Sequence, residues 1–287
     1  MKIAFIGVGK MGLPVCKRLK AAGHEVMVLA RRPEQAGALQ AAGFKAQDTA
    51  AKTIEGSELV FTCVSDDKAL SEVLLDGSVL FRIAGASALI DMSTVSPAVS
   101  ASIAAQLPKS LAFLRSPVSG STVMAEAGTL TALVSGPKVA FDSLAPIFSC
   151  FTKVAFHLGE DEQARYLKLG INSMVAATSA LLGEALAFGA KGGLSLEKMM
   201  EVITQSVVAS PLIAYKKDMI ISGDYKPAAT LNMLAKDLDL MLAAAQNVQA
   251  SLPLNQMIRT IYQASVAKGL GEKDFFVLVQ EARNSGA

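Results

Sequence analysis

The strongest chemical signal in this 287-residue sequence is the run Gly7-Val8-Gly9-Lys10-Met11-Gly12. A G-x-G-x-x-G run alone is common. Here it follows an apolar strand at the N-terminus and opens a helical pattern, the context in which the motif binds a dinucleotide. Gly7 permits the tight turn, Gly9 lets backbone approach a pyrophosphate, and Gly12 lets helix and strand pack closely. The helix start offers free amides and the positive end of its dipole to the phosphates, with Lys10 and Met11 in the same loop. At the end of the second strand the chain reads Val28-Leu29-Ala30-Arg31-Arg32-Pro33. NAD-preferring sites place an acid there to hold the ribose 2′-hydroxyl. Two guanidinium groups and no acid favour NADP(H), with NAD(H) as the alternative. A charge-assisted bond from Arg31 to a 2′-phosphate is worth about 1.5–3 kcal/mol, or ~10–100-fold in affinity. Solvated loop arginines are the competing description.

A dinucleotide that carries hydride needs a partner for the proton. A lysine serves if burial near a cationic nicotinamide lowers its pKa towards neutrality. Lys168 and Asn172 stand four residues apart, on one face of a helical pattern. From the residues alone, a solvated lysine on an amphipathic helix describes Lys168 better. The small residues Ser119-Gly120-Ser121 let amides converge on a carboxylate, although a plain turn before Thr122 is the simpler reading.

Other chemistries recede. His24 and His157 lie at a turn and a strand end, with no His- or Cys-rich cluster and no nucleophile-elbow sequence, so neither a metal site nor a serine hydrolase is expected. Cys16, Cys63 and Cys150 are odd in number and far apart, which excludes a disulfide framework and implies a reducing, cytoplasmic address. No signal peptide is visible, since the apolar start is short and runs into the glycine loop. The most membrane-like stretch, Ile171 to Ala190, contains Asn172, Ser173, Thr178, Ser179 and Glu184, and reads as a buried helix. A formal net charge of +2 lacks the basic stripe of a nucleic-acid binder.

The elements that must position these residues follow from periodicity. The length suits two domains, and a hydrophobic content of 52% with mean hydropathy +0.41 allows a large core plus a subunit contact. Short apolar runs alternate with helical patterns in the first half, the mark of a parallel α/β sheet. Strands are expected at Lys2 to Ile6, Glu25 to Leu29, Leu59 to Val64 and Ala88 to Asp91. Further candidates are Leu111 to Leu114, Thr129 to Ser135 and Val154 to Leu158. A helix is expected from about Met11 to Ala22, ended by Gly23, and another begins at Ser96-Pro97. From Glu160 the spacing turns helical, and a long helix runs to about Lys191, where Gly192-Gly193 breaks it. Helices at 195–205, 229–249 and 254–268 follow, punctuated by Pro211, Pro227 and Pro253. The expected architecture is a Rossmann-type dinucleotide-binding domain over 1–160, then an all-α domain over 161–287 that begins with the long inter-domain helix.

With these motifs in register, the sequence resembles the β-hydroxyacid dehydrogenase family, which includes 3-hydroxyisobutyrate dehydrogenases and tartronate semialdehyde reductases. Gly9-Lys10-Met11-Gly12 is similar to the family's glycine-rich start, and Asp91-Met92-Ser93-Thr94-Val95-Ser96-Pro97 to its D-x-S-T-x-S-P segment. Pro117-Val118-Ser119-Gly120-Ser121 resembles its P-V-S-G-G substrate loop, and Lys236-Asp237-Leu238 the K-D-L of its C-terminal domain. Lys168 and Asn172 match its catalytic lysine and the asparagine one turn later. The resemblance reverses the order of readings for Lys168, making it general acid/base with Asn172 positioning the reacting group. It also implies that Ser119, Gly120 and Ser121 hold a substrate carboxylate and that Thr94 contacts the nicotinamide side. For Thr94, helix capping is the competing role. Lys236 becomes a second cationic contact for substrate or cofactor, and Val64 and Ser65 line the cofactor crevice. The implied reaction is hydride exchange between NADP(H) and a small 3-hydroxyacid or its semialdehyde, in a homodimer or homotetramer.

Three positions depart from the pattern. Ile171 stands where the family often has Asn, Arg115-Ser116 replaces Asp-Ala before the substrate loop, and Ser121 replaces a glycine. If Arg115 faces the cleft, it favours a more acidic or bulkier substrate. The rival readings are an imine reductase of the same architecture and a non-catalytic dinucleotide-binding sensor. Both groups tend to lack the lysine that Lys168 supplies.

Overall fold

The computed structural model describes residues 1–284. The chain forms two compact units, Met1–Lys168 and a second that begins at Leu169.

The first unit is built on a sheet. Its strands are β1 (Lys2–Ile6), β2 (Glu25–Leu29), β3 (Lys45–Gln47), β4 (Leu59–Thr62), β5 (Ala88–Asp91) and β6 (Ala112–Arg115), followed by β7 (Val118–Ser119), β8 (Leu130–Val134) and β9 (Thr152–His157). The first six run parallel in the order β3-β2-β1-β4-β5-β6. The chain reverses direction of travel between β1 and β4, and strand ends at such a switch point form a ligand crevice. The alternation in β1 shows why both faces must be covered. Ile3 and Phe5 enter a core with Val15, Leu19, Phe61 and Phe151, whereas Ala4 and Ile6 pack with Val60, Leu70, Leu89 and Phe113. A smaller sheet, β7-β8-β9, has β7 antiparallel and β9 parallel to β8.

Helices α1 (Gly12–Ala21), α2 (Pro33–Ala41), α3 (Ala50–Ile54), α4 (Asp67–Leu74), α5 (Gly77–Ile83) and α6 (Pro97–Ala104) connect the large sheet. Short helices α7 (Thr122–Ala127), α8 (Lys138–Ser143) and α9 (Ala145–Ser149) connect the small one. Asp66 caps α4 through Ala69 N; as expected, Ser96 caps α6 through Val99 N with Pro97 in the first turn. The strands β3 and β7 lie outside the expected set. Lys45-Ala46-Gln47 has no apolar alternation and pairs only along β2, and β7 is two residues long.

Helix α10 (Gln163–Lys191) begins in the first unit and ends before Gly193, whose φ of +85° closes it. By length and composition α10 could cross a membrane. One of its faces is instead core: Ala176, Ala180, Leu182 and Leu186 pack with the other helices of the second unit. These are α11 (Leu196–Ile203), α12 (Pro211–Ser222), α13 (Leu231–Asn247), α14 (Pro253–Ser265), a π-helical turn (Val266–Leu270) and α15 (Val277–Asn284). Pro211 starts α12 rather than separating helices, with Ser210 as its cap. Gly183 lets α15 approach closely, because a Cβ there would lie 3.0 Å from the Leu278 carbonyl oxygen. The core of this unit encloses an ion pair, Lys216 Nζ to Asp274 Oδ2 at 2.6 Å. The rings of Tyr215, Phe275 and Phe276 lie around the ammonium.

Candidate active site

The three glycines of the first loop have different surroundings. Gly7 has φ +103°, and a Cβ would fall 2.0 Å from the Cys63 carbonyl oxygen at the end of β4. Gly12 is closed off too, with the Gly7 carbonyl oxygen 2.1 Å and the Phe5 ring 2.9 Å from its Cβ position. At Gly9 nothing lies within 4 Å. Two glycines thus hold the turn against the sheet, and the third keeps a gap open in front of the helix. Met11 precedes α1 without a side-chain cap, and no acid occupies the first turn. Free amides and an open approach fit a pyrophosphate.

Arg31, exposed just beyond β2, lines a cavity of about 320 Å³ with Gln47, Asp48 and Lys52. Lys52 Nζ lies 3.0 Å from Asp48 Oδ1, and this hydrogen bond holds the Asp48 carboxyl below its ordinary range. The cavity carries two cations and one acid.

The ends of β4 and β5 are tied together by buried polar groups. Asp91 Oδ1 accepts from Thr62 Oγ1 and from Ser93 Oγ, each at 2.6 Å, and Ser93 Oγ accepts from Val64 N at 2.9 Å. Val64 is half-buried and Ser65 exposed, the Ser65 hydroxyl donating to Asp66. Asp91 Oδ2 forms a short ion pair with Arg165 Nη2, and both side chains are buried. Arg165 Nη1 donates to the Ser93 carbonyl at 2.6 Å, and its Nε to Ser100 Oγ at 3.2 Å. The residue after Ser93 is Thr94, half-buried. Ser96, not Thr94, caps the following helix, which removes the competing role.

Arg115 does not serve a cleft. Its guanidinium is buried, pairs with Glu162 Oε1 at 2.7 Å and lies over the Phe113 ring at 4.4 Å. A substrate-selecting role is therefore corrected to a structural one, because a buried guanidinium must meet its counter-charge inside the unit. Glu162 also comes within 3.8 Å of Arg165, so two acids and two guanidinium groups form one buried cluster.

Ser119 ends β7 opposite Thr131, and Gly120 has φ +140°. The Ser121 hydroxyl caps α7 by accepting from Met124 N at 3.3 Å. The replacement of glycine by serine at this position is thus put to use as a helix cap.

Lys168 is half-buried on α10. Asn172, one turn later, donates through Nδ2 to Asp237 Oδ2 at 2.6 Å, which leaves its Oδ1 as the acceptor. The other Asp237 oxygen lies 2.9 Å from Lys236 Nζ, an ion-pair distance without hydrogen-bond alignment. Asp237 therefore gathers Asn172 and Lys236 around one carboxylate. Sequence reasoning gave no role to Asp91, Arg165 or Asp237. An acid ending the wholly buried strand β5 signals a hidden partner, but the partner stands 74 residues away.

Among the described residues no group of three His, Cys, Asp or Glu could hold a metal. The parallel sheet and its open glycine loop define a dinucleotide-binding fold. Residues 2–159 match the family model for the NAD binding domain of 6-phosphogluconate dehydrogenase, and residues 163–281 match NAD-binding of NADP-dependent 3-hydroxyisobutyrate dehydrogenase. The chain is 32% identical over 285 residues to 2-(hydroxymethyl)glutarate dehydrogenase of Eubacterium barkeri, covering 98% of this chain and 94% of that one. It is 34% identical over 269 residues to 3-hydroxyisobutyrate dehydrogenase of Pseudomonas aeruginosa, covering 91% and 90%. The solved 3-hydroxyisobutyrate dehydrogenase of Mycobacterium tuberculosis with L-serine superimposes at TM-score 0.87 with 25% identity, covering 98% and 99%. The chain belongs to the β-hydroxyacid dehydrogenase family. It is an NAD(P)-dependent dehydrogenase acting on CH–OH groups.

Proposed function

We propose that this enzyme exchanges a hydride between NADP(H) and a small 3-hydroxyacid or its semialdehyde, with Lys168 as general acid/base. The observation that carries the reading is the arrangement on α10. Lys168 and Asn172 lie one turn apart on an unbroken helix, and Asp237 holds the Asn172 amide so that its oxygen remains an acceptor. When bound, the nicotinamide supplies or receives the hydride. In oxidation the Lys168 amine takes the hydroxyl proton while the Asn172 oxygen orients the amine or the hydroxyl; in reduction the ammonium returns the proton to the carbonyl oxygen.

The Gly7–Gly12 loop, with Lys10 and Met11, holds the pyrophosphate, Val64 and Ser65 line the cofactor crevice, and Thr94 contacts the nicotinamide side. Arg31 meets the 2′-phosphate, which supports NADP(H) over NAD(H). Ser119 and the amides of Gly120 and Ser121 anchor the substrate carboxylate, with Lys236 as the second cation. The Ser121 hydroxyl already caps α7, so its backbone amide carries this role.

Self-association is part of the proposal. Leu167, Met174, Leu181 and Phe188 are 43%, 70%, 68% and 83% exposed and recur every seventh residue along α10. Antiparallel pairing with a second copy about a two-fold axis sets Leu167 opposite Phe188 and Met174 opposite Leu181, a self-complementary seam. The spacing of the three cysteines supports a cytoplasmic address.

The test is absorbance at the reduced-nicotinamide band with both cofactors and a panel of hydroxyacids, semialdehydes and cyclic imines. Turnover of a 3-hydroxyacid pair, lost by ~10²–10⁴ in Lys168→Met with NADPH binding retained, is the expected result. Turnover of imines alone, or full activity of Lys168→Met, overturns the assignment.

A further inference from the structure

The buried cluster around Asp91 is larger than a strand end requires. Its geometry joins segments to which the proposed function gives separate duties. Arg165 stands three residues before Lys168 on α10, so the two side chains leave the helix on neighbouring faces, one inward and buried, the other half-exposed. The guanidinium grips the Ser93 carbonyl, one peptide bond from Thr94. It also grips Asp91, which holds Thr62 and Ser93, and Ser93 in turn holds Val64. From one side chain, rigid links thus run to the turn that carries Lys168, to the Thr94 segment and to the Val64 strand end. Burial alone does not explain it, since apolar residues of like volume in place of a buried ion pair are often neutral or stabilising. Orientation does explain it: a misplacement of about 1 Å between reacting groups can cost ~10²-fold in rate.

We propose that Arg165 is a positioning residue, which sets the Lys168 amine against the Asp91–Thr94 segment by binding Asp91 and the Ser93 carbonyl from within the first turn of α10. The inference rests on Lys168 being the general acid/base.

The experiment uses the full chain, with NADP+ as the hydride acceptor for turnover and NADPH for the binding and labelling readouts. Arg165→Met is expected to lower kcat for 3-hydroxyisobutyrate oxidation ~10–100-fold, with KM and the NADPH Kd each within about threefold of the parent. Arg165→Lys, which keeps the charge on Asp91, restores part of kcat. Lys216→Met breaks the comparably buried ion pair of the second unit and serves as the stability control. It should lower the melting temperature as much as Arg165→Met and leave kcat unchanged. A second readout needs no turnover. The pH profile of Lys168 acetylation in the NADPH complex, followed by mass spectrometry, is expected to shift in Arg165→Met and to move back in Arg165→Lys. If Arg165→Met does not fold, Asp91→Asn takes its place.

A parental kcat and an unmoved acetylation profile in the folded variant overturn the positioning role. If Lys168→Met retains full activity, the general acid/base reading fails instead, and the acetylation profile still reports whether Arg165 sets the amine. A kcat loss in Arg165→Met no greater than in Lys216→Met at equal stability also overturns the positioning role.

Discussion

Substitution of Gly9 by alanine is expected to separate coenzyme binding from stability. A methyl group at Gly9 meets no atom within 4 Å, and its φ is outside the positive region. The folded chain therefore accepts it, and the loss of backbone freedom in the unfolded chain stabilises by about 0.4–1 kcal/mol. For a unit of this size that raises the melting temperature by ~1–4 °C. In the proposed binding mode the same methyl stands where the pyrophosphate comes close to backbone. Loss of one charge-assisted bond costs about 1.5–3 kcal/mol, which raises the NADPH Kd ~10–100-fold. Gly7→Ala is the contrasting variant. Its Cβ would lie 2.0 Å from the Cys63 carbonyl oxygen, and φ +103° is strained for any other residue. The backbone penalty alone is about 1–3 kcal/mol, and displacement of the end of β4 adds to it. The assay pairs thermal unfolding by circular dichroism with NADPH fluorescence titration. The reasoning is refuted if Gly9→Ala binds NADPH within about threefold of the parent, or if it melts below Gly7→Ala.

Three further outcomes are expected. Arg31→Asp should lower the NADPH-over-NADH ratio of catalytic efficiencies ~10–100-fold, and an unchanged ratio removes the 2′-phosphate assignment. Burial, with the Asp91 charge adding to it, pushes the Cys63 thiol up to about 12 from an ordinary 9.0. Between those values the unfolded chain has lost the proton and the native one has kept it. Stability contributed by this group is thus complete below about pH 9 and lost as pH rises towards 12. Urea midpoints measured from pH 8 to 10 should fall less steeply in Cys63→Ala, and an identical slope would count against the shift. Leu181→Glu should lower the mass seen by light scattering from that of the proposed assembly to that of a monomer without loss of the folded spectrum, whereas an unaltered mass rules out the α10 seam.

Periodicity exposed most of the frame but little of the wiring. Strands such as Lys2–Ile6 and Ala88–Asp91 are legible because they are apolar runs bounded by turn residues. The edge strand Lys45–Gln47 is not, because its backbone pairing with β2 rather than its side chains makes it a strand. Helix α12 was hidden by Pro211, which reads as a breaker until Ser210 is seen to cap the first turn. Among the site residues, the glycine loop was legible from a local pattern. Its division of labour, two glycines closed and one open, depends on atoms of β1 and β4 brought in by folding. The structural role of Arg115 was not legible, because nothing local announces Glu162, 47 residues away.

The Arg115–Glu162–Arg165–Asp91 cluster also constrains how the chain can diverge. Its four formal charges sum to zero, so replacement of one member strands an ion in a dry interior. Descendants of this sequence should therefore keep all four or exchange them in compensating couples, and a lone change at any one of these positions should be rare among close kin.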